Sequence, residues 1–207
     1  MEFKTTEEKV CYGFGRQMGR QIYHEQFEGY SMEAFLEGVK DALLNNPLQI
    51  DKDVLNEAFS VFQEEMDKKN REKNAGAIEA AAKFMEENKK RDGVIITESG
   101  LQYEVMKEGD GDVPGPKDVV RVHYHGTLPD GTVFDSSVQR NEPAEFPVNG
   151  VIAGWIEALQ LMKEGSKYRL AIPYNLAYGE RGVSSIPPFS PLVFEVELIK
   201  IVMRSKE

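Results

Sequence analysis

A change of hydrophobic period at Gly93 constrains the fold of this chain more than any other feature. Before this residue, apolar side chains recur every three or four positions, which places them on one face of an α-helix. After it, residues 101–106, 119–125 and 192–199 alternate between apolar and polar side chains, as half-buried strands do. Only 152–161 keeps helical spacing there. The sequence therefore predicts an α+β fold, with an all-helical N-terminal region and a C-terminal antiparallel sheet wrapped on one short helix.

Two short helices are predicted at the N-terminus, at roughly 6–25 and 31–45, and they are too small to bury a core by themselves. The first carries Gly15 and Gly19 on one face. Because a glycine inside a helix costs about 1 kcal/mol relative to alanine, two of them on one face predict the close approach of another helix. We expect that helix to belong to a second copy, which makes 1–50 a homodimerisation domain. Packing within one chain is the alternative.

A long spacer helix is predicted over residues 51–93, with Gly93 as its C-terminal cap. Its middle, 67–74, has no apolar residue, and a helix that is polar all round must stand in solvent. Acidic residues four positions before basic ones, such as Glu64 and Lys68, add stabilising pairs along it. A break at 74–76 would give two helices with a hinge, and the sequence leaves that alternative open.

Composition excludes several classes of partner. The net charge of −10, with no cluster of basic residues, argues against nucleic-acid binding. No apolar run approaches the roughly 20 residues that a membrane-spanning helix needs, and the acidic, polar N-terminus is unlike a signal peptide. A single cysteine, Cys11, allows no intrachain disulfide. We therefore expect a cytoplasmic protein that binds neither nucleic acid nor membrane.

Aromatic side chains at turns and strand ends are the candidates for a functional site after Gly100. Asp135 is the only acid directly against them, and we expect it to be buried in one apolar pocket. Without a nucleophile–base pair, such a pocket suits the binding of an apolar, uncharged group and not hydrolysis. His123 and His125 share one strand face but lack a third ligand, so no metal or cofactor is expected. The aromatic candidates are Tyr124, Phe134, Phe146, Trp155, Tyr178 and Phe194.

Three segments carry a resemblance to a known family: VRVHYHGTLPDGTVFDSS at 120–137, NGVIAGWIEAL at 149–159 and AYGERGVSSIPPFSPLVFEVEL at 177–198. Their order and spacing resemble the FKBP family of peptidyl-prolyl cis–trans isomerases, the rapamycin-binding rotamases, over residues 98–203. The loop Gly179–Ser185 is one residue shorter than in several members of that family. The helical region before the resemblance, running into a long helix, resembles the bacterial Mip-like (macrophage infectivity potentiator-like) subgroup.

The resemblance implies an FKBP-type catalytic domain at 94–207. In it, Trp155 would lie under the proline ring and Tyr178 would donate its hydroxyl to a substrate carbonyl. Asp135 would orient Tyr124 or Arg140. The implied catalytic residues are Tyr124, Phe134, Asp135, Trp155, Tyr178 and Phe194. The implied substrate-binding residues are Arg140, Phe146, Val151, Ile152 (through its backbone N–H) and Ile186.

The function that follows is X-Pro isomerisation in unfolded or partly folded proteins, with chaperone-like substrate binding by the N-terminal dimer and with macrolide inhibitors as ligands. Rotation about the X-Pro bond needs no bond making, so an apolar pocket that prefers the twisted amide is sufficient. The runner-up is a chaperone or scaffold with incidental turnover, and a third reading is a dimeric interaction protein with a vestigial enzyme domain. Loss of Asp135, Trp155 or Tyr178 would favour either alternative, and all three are present.

Overall fold

The computed structural model describes residues 2–23 and 27–205, which fall into two compact units, Met1–Ser60 and Val61–Glu207. Positions 24 and 25 of the predicted first helix lie outside the described residues. No helix in the described ranges is both long enough and apolar enough to cross a bilayer. The helices are α1 (Thr6–Ile22), α2 (Met32–Leu44), α3 (Lys52–Lys73), α4 (Ala75–Asn88) and α5 (Ala153–Leu159).

The first two helices begin at side-chain caps that the sequence provides. Thr5 Oγ1 accepts a hydrogen bond from the Glu8 N–H at 3.2 Å, and Glu8 Oε2 accepts one from the Thr5 N–H at 3.1 Å. This reciprocal pair satisfies two N–H groups that lack helical partners. Ser31 Oγ caps α2 through one hydrogen bond, which it accepts from the Ala34 N–H at 3.2 Å. Asn45 ends α2 in the left-handed conformation, with φ 55°.

The apolar face of α1 is not covered by the described residues of its own chain. No residue of α1 or α2 is buried, and the side chains of Phe14 and Met18 are 63% and 59% exposed. A Cβ built on Gly15 or Gly19 would meet no atom within 4 Å. The alternative that these glycines serve packing within one chain therefore has no contact to support it among the described residues.

The predicted spacer helix is interrupted at Asn74, which was the alternative that the sequence left open. Asn74 has φ −105° and ψ 17°, outside the α-helical region. Its side-chain Nδ2 donates to the Asn70 carbonyl oxygen at 2.8 Å, and its backbone N–H is shared between the carbonyls of Asn70 and Arg71. A side chain that competes for a helical carbonyl in this way disturbs the regular hydrogen-bond ladder. Helical bonding resumes when the Ile78 N–H donates to the Asn74 carbonyl.

The helix α4 packs on the sheet and does not stand free in solvent. Ala81 and Asn88 are buried. Asn88 Nδ2 donates to Gln102 Oε1 at 2.8 Å, and Asn88 Oδ1 accepts from Arg169 Nη1 at 2.9 Å. Gln102 in turn donates to the carbonyl of Met85 at 3.0 Å. The solvent exposure expected from the sequence concerned residues 67–74, ahead of this helix; α4 itself packs on the sheet because polar side chains near its C-terminal end are satisfied there.

The sheet is antiparallel throughout and confirms the predicted α+β class. The strands are β1 (Val94–Ile96), β2 (Gln102–Lys107), β3 (Val119–Thr127), β4 (Val133–Ser136), β5 (Ala144–Pro147), β6 (Lys167–Ile172) and β7 (Leu192–Met203). Gly131, with φ 87°, lies in the turn between β3 and β4, where Asp130-Gly131 indicates a hairpin. The order of the strands in the sheet is β1-β2-β6-β7-β3-β4, with β5 also paired to β3.

The core lies between the sheet and α5. Trp155 and Leu159 of this helix are buried against strand residues such as Val122 and Val196. Gly154 allows the helix to come close, because a Cβ there would lie 2.5 Å from Cγ2 of Ile172. This close approach brings the Trp155 ring against the aromatic residues of the neighbouring strands.

Candidate active site

An aromatic pocket of 390 Å³ opens at the end of the sheet beside α5. It contains every residue predicted to be catalytic, together with Phe146, Val151 and Ile152 from the predicted substrate-binding set. Arg140 and Ile186 of that set are not among the lining residues, and Gly150 joins the lining although sequence reasoning missed it. The lining residues are Tyr124, Phe134, Asp135, Phe146, Gly150, Val151, Ile152, Trp155, Tyr178 and Phe194.

Trp155 lies at the centre of a set of edge-to-face aromatic contacts. Its ring centroid is 5.5 Å from that of Tyr124, 6.0 Å from that of Phe146 and 5.2 Å from that of Phe194. Phe134 extends this wall through a perpendicular contact with Phe194 at 5.4 Å. Edge-to-face pairs contribute about 0.5–1.5 kcal/mol each beyond their buried area, so the pocket wall is held in one arrangement.

Gly126 is a pocket-supporting residue that sequence reasoning missed. It lies buried in β3, opposite Phe194 of β7. A Cβ at this position would lie 2.7 Å from Cε1 of Phe194 and 2.8 Å from Cζ of Phe134. The two aromatic walls can therefore meet only because this residue has no side chain. The available signal was a glycine inside an alternating strand pattern, which often marks such a close approach.

The carboxylate of Asp135 lies at the rim of the pocket and is fully engaged. The expectation of a buried carboxylate is wrong, because this side chain is 45% exposed. Its Oδ2 accepts a hydrogen bond from the Tyr124 hydroxyl at 2.5 Å, and its Oδ1 accepts from Arg140 Nη1. Arg140 Nη2 also donates to the Tyr124 oxygen at 2.9 Å. The acid therefore orients both partners that the sequence had offered as alternatives.

This network shifts the titration of its members. Burial raises the pKa of the Tyr124 hydroxyl, and its hydrogen bond to Asp135 raises it further. Burial works against ionisation of Asp135, but the hydrogen bonds from Tyr124 and Arg140 outweigh it, so the pKa of Asp135 lies below its ordinary value. At neutral pH the rim therefore carries a carboxylate, a guanidinium and a neutral phenol.

The Tyr178 hydroxyl and the Ile152 N–H are hydrogen-bond donors at the pocket that have no partner among the described residues. The Tyr178 hydroxyl, on a residue that is 40% exposed, makes no hydrogen bond there. The N–H of Ile152, the residue that caps α5, donates to no described atom although its carbonyl accepts from Trp155 and Ile156. Both are free to meet the carbonyl oxygens of a bound chain.

The remaining predicted residues support the pocket from outside its lining. Ile186 is buried, and it pairs through its backbone with Val183 in a small bridge.

The buried Trp155 Nε1 has no hydrogen-bond partner within the described part of the chain. The arrangement offers an apolar aromatic surface with donors at its edge. It can hold an apolar ring between carbonyl groups, and it needs no nucleophile to do so.

Comparisons with known proteins match both parts of the chain. A family model described as FKBP-type peptidyl-prolyl cis-trans isomerase matches residues 111–199. A second, described as the domain amino terminal to FKBP-type peptidyl-prolyl isomerase, matches residues 7–105. The FKBP-type 22 kDa peptidyl-prolyl cis-trans isomerase of Escherichia coli (strain K12) is 52% identical over 201 residues, which are 97% of this chain and 98% of that protein.

More distant relatives and solved structures agree with this match. The outer membrane protein MIP of Legionella longbeachae is 37% identical over 202 residues, covering 95% of this chain and 86% of that protein. The crystal structure of FkpA from Escherichia coli superposes with a TM-score of 0.63 at 33% identity, covering 99% of this chain and 100% of that one. A Pseudomonas syringae peptidyl-prolyl isomerase structure gives 0.59 at 41% identity, over 62% and 95%.

Proposed function

Because this chain belongs to the FKBP-type peptidyl-prolyl cis–trans isomerases, we propose that its pocket accelerates X-Pro isomerisation in unfolded or partly folded proteins. The observation that carries the proposal is the aromatic pocket on α5 with the Asp135 network at its rim. This substrate class suits the pocket, because proline is the apolar ring that a flexible chain presents between two carbonyl groups.

The pocket favours the twisted amide over the planar amide because its apolar wall excludes the water that solvates the planar carbonyl. The planar X-Pro bond is stabilised by resonance, with a rotational barrier of about 18–20 kcal/mol. A planar amide has a strongly polar carbonyl that water solvates well, whereas the twisted amide has lost this resonance. A dry wall formed by Trp155, Phe134 and Phe194 removes water from the planar form. Any group that binds the twisted form more tightly than the planar form lowers the barrier.

The polar groups of the rim orient the bound chain. Tyr178 and the Ile152 N–H are free to donate to substrate carbonyls on either side of the proline. Asp135, held by Tyr124 and Arg140, presents its carboxylate beside the rotating carbonyl carbon. No proton has to be transferred, because the cis and trans forms of the substrate have the same covalent bonds.

A prolyl-peptide isomerisation assay on the full chain tests the site. Asp135→Ala and Tyr178→Phe should each lower kcat/KM by about tenfold, because each removes one polar contact at the twisted bond. Tyr178→Phe should leave the unfolding midpoint nearly unchanged, whereas Asp135→Ala should also lower it, because Asp135 holds Tyr124 and Arg140. Trp155→Ala should lower both turnover and stability, since it removes a large buried ring. Turnover at the parent level in the Asp135 and Tyr178 variants would remove both residues from the site.

We further propose that the chain forms a homodimer through α1 and α2. The exposed Phe14 and Met18 and the open surface over Gly15 and Gly19 support this, since a second copy would cover them. Gly15→Leu or Gly19→Leu should shift sedimentation toward the monomer. Gly13→Leu is the matched control, because it lies on the opposite face of α1 and adds the same side chain. A parent protein that sediments as a monomer would contradict the dimer.

We propose chaperone-like substrate binding by the same helical region and macrolide binding by the pocket. Exposed apolar side chains of α1 and α2 that a partner copy leaves uncovered would hold unfolded chains weakly. The pocket would take a rapamycin-class macrolide, because its lining is aromatic and its free donors suit uncharged carbonyl groups. Rapamycin should therefore inhibit peptide turnover in competition with substrate. Unchanged turnover at saturating rapamycin would exclude that ligand.

A cytoplasmic location remains a proposal, supported by a single cysteine that cannot form an intrachain disulfide. One relative is named an outer membrane protein, so the compartment has to be measured. Fractionation of the native cells with antibodies against this chain would settle it, and recovery with the envelope fraction would overturn the proposal.

A further inference from the structure

The loop that follows Tyr178 is tied to the junction between α3 and α4. Arg71 Nη2 donates to Glu180 Oε1 at 2.7 Å, and Arg71 Nε contacts both carboxylate oxygens of Glu180 at 3.1 Å. Asn70 Nδ2 donates to the backbone carbonyl of Glu180 at 2.9 Å. The helix thus holds Glu180 by its side chain and by its backbone, two residues after a residue that lines the pocket.

The helix break at Asn74 prepares one of these contacts. Asn74 Nδ2 donates to Asn70 Oδ1 at 2.9 Å as well as to the Asn70 carbonyl. This bond fixes the orientation of the Asn70 amide, whose Nδ2 then faces the Glu180 carbonyl. The interruption of the helix therefore has a local purpose, since it presents an oriented amide donor to the loop.

The loop has few other anchors close to Tyr178. Gly179 and Gly182 adopt left-handed conformations, with φ 66° and 67°. Gly179 is held by its N–H to the carbonyl of Tyr174 at 2.8 Å and by its carbonyl to the N–H of Phe189 at 3.1 Å. Beyond Gly179, Asn70 and Arg71 are the groups that hold Glu180. The position of Tyr178 is thus set between its own turn and the helix junction.

We propose that Asn70 and Arg71 are positioning residues for the isomerase reaction, which hold Glu180 so that the Tyr178 hydroxyl stays over the pocket. The inference rests on the proposed role of Tyr178 as a donor to substrate. The Arg71–Glu180 pair is too exposed to add much to global stability, with side chains 62% and 28% exposed. Its effect should fall on turnover, because small displacements of a contact to the reacting group are costly.

Charge reversal tests the contact in the full-length protein with a prolyl peptide. Arg71→Glu and Glu180→Arg should each lower kcat/KM about fivefold, and the double variant Arg71→Glu/Glu180→Arg should recover to within about twofold of the parent. Asn70→Ala, which changes no charge, should move turnover in the same direction. Lys83→Glu is the matched control, because Lys83 pairs with Glu87 on the exposed side of α4 at 4.0 Å.

A second arm separates positioning from general loosening of the domain. In a Tyr178→Phe background, Arg71→Glu should cost less than about twofold, because the hydroxyl that it positions is already absent. Unfolding midpoints of all variants should stay near that of their parent. Full activity in Arg71→Glu, or an equal loss with and without the Tyr178 hydroxyl, would overturn the inference. An inactive parent protein would instead contradict the proposed function, so the two failures are distinguishable.

Discussion

At the scale of single residues, Gly126 decides how closely the pocket walls approach. Gly126→Ala should destabilise the protein by about 1–3 kcal/mol and lower turnover, because the new methyl group would push the Phe134 and Phe194 rings apart. Gly76→Ala is the control, since a Cβ at that helical position meets no atom within 4 Å. Denaturant unfolding and the peptide assay measure the two effects. Parent-like behaviour of Gly126→Ala would mean that the walls can relax.

The lowered pKa of Asp135 predicts how stability and turnover should depend on pH. Because the folded pKa of this acid lies below its unfolded value of about 3.9, its contribution to stability is present above that value and is lost as pH falls through the folded pKa. Turnover should therefore show no titration of Asp135 between about pH 5 and 8. Asp135→Asn should be less stable than the parent at neutral pH, and the difference should shrink in acid. An unchanged difference at about pH 2 would contradict this account.

At the scale of elements, α4 belongs energetically with the sheet. Its Asn88 satisfies buried Gln102 and also accepts from Arg169, so removal of the helix leaves polar groups of the sheet without partners. A 75–207 fragment should therefore be more stable than a 93–207 fragment, which keeps β1, by about 1–3 kcal/mol, measured by denaturant unfolding. Asn88→Ala in the full chain should reproduce part of the loss. Equal unfolding midpoints for the two fragments would show that contact with α4 does not stabilise the sheet.

At the scale of the whole molecule, the dimer should matter for proteins and not for peptides. An unfolded chain held on the helical region meets the pocket at raised effective concentration, whereas a short peptide binds one site only. The full-length protein should therefore accelerate proline-limited refolding of a whole protein at least about tenfold more than the 61–207 fragment, which keeps Asn70 and Arg71, while both treat peptides alike. Gly15→Leu should approach the fragment in refolding. Equal refolding rates would leave the helical region without a catalytic role.

Local sequence patterns were sufficient to predict the fold class and the main elements of secondary structure. Helical and alternating periods are properties of neighbouring residues, so the α+β class, the capping Ser31 and the long central strands could be read directly. The aromatic set followed from the resemblance of its segments to a known family, since spacing alone does not distinguish a pocket from a core. The break at Asn74 stayed open because asparagine is tolerated within helices and at their ends.

The sequence by itself determined the main helices and the strands β2, β3 and β7, because period, caps and turns act over a few residues. Only the tertiary structure decided that Asp135 lies at a rim, that Gly126 lies between two rings, and that Arg71 meets Glu180. These contacts join residues far apart along the chain or depend on the exact fit of opposing strands. No local pattern specifies which distant partner a side chain will reach, because that depends on how the whole chain packs.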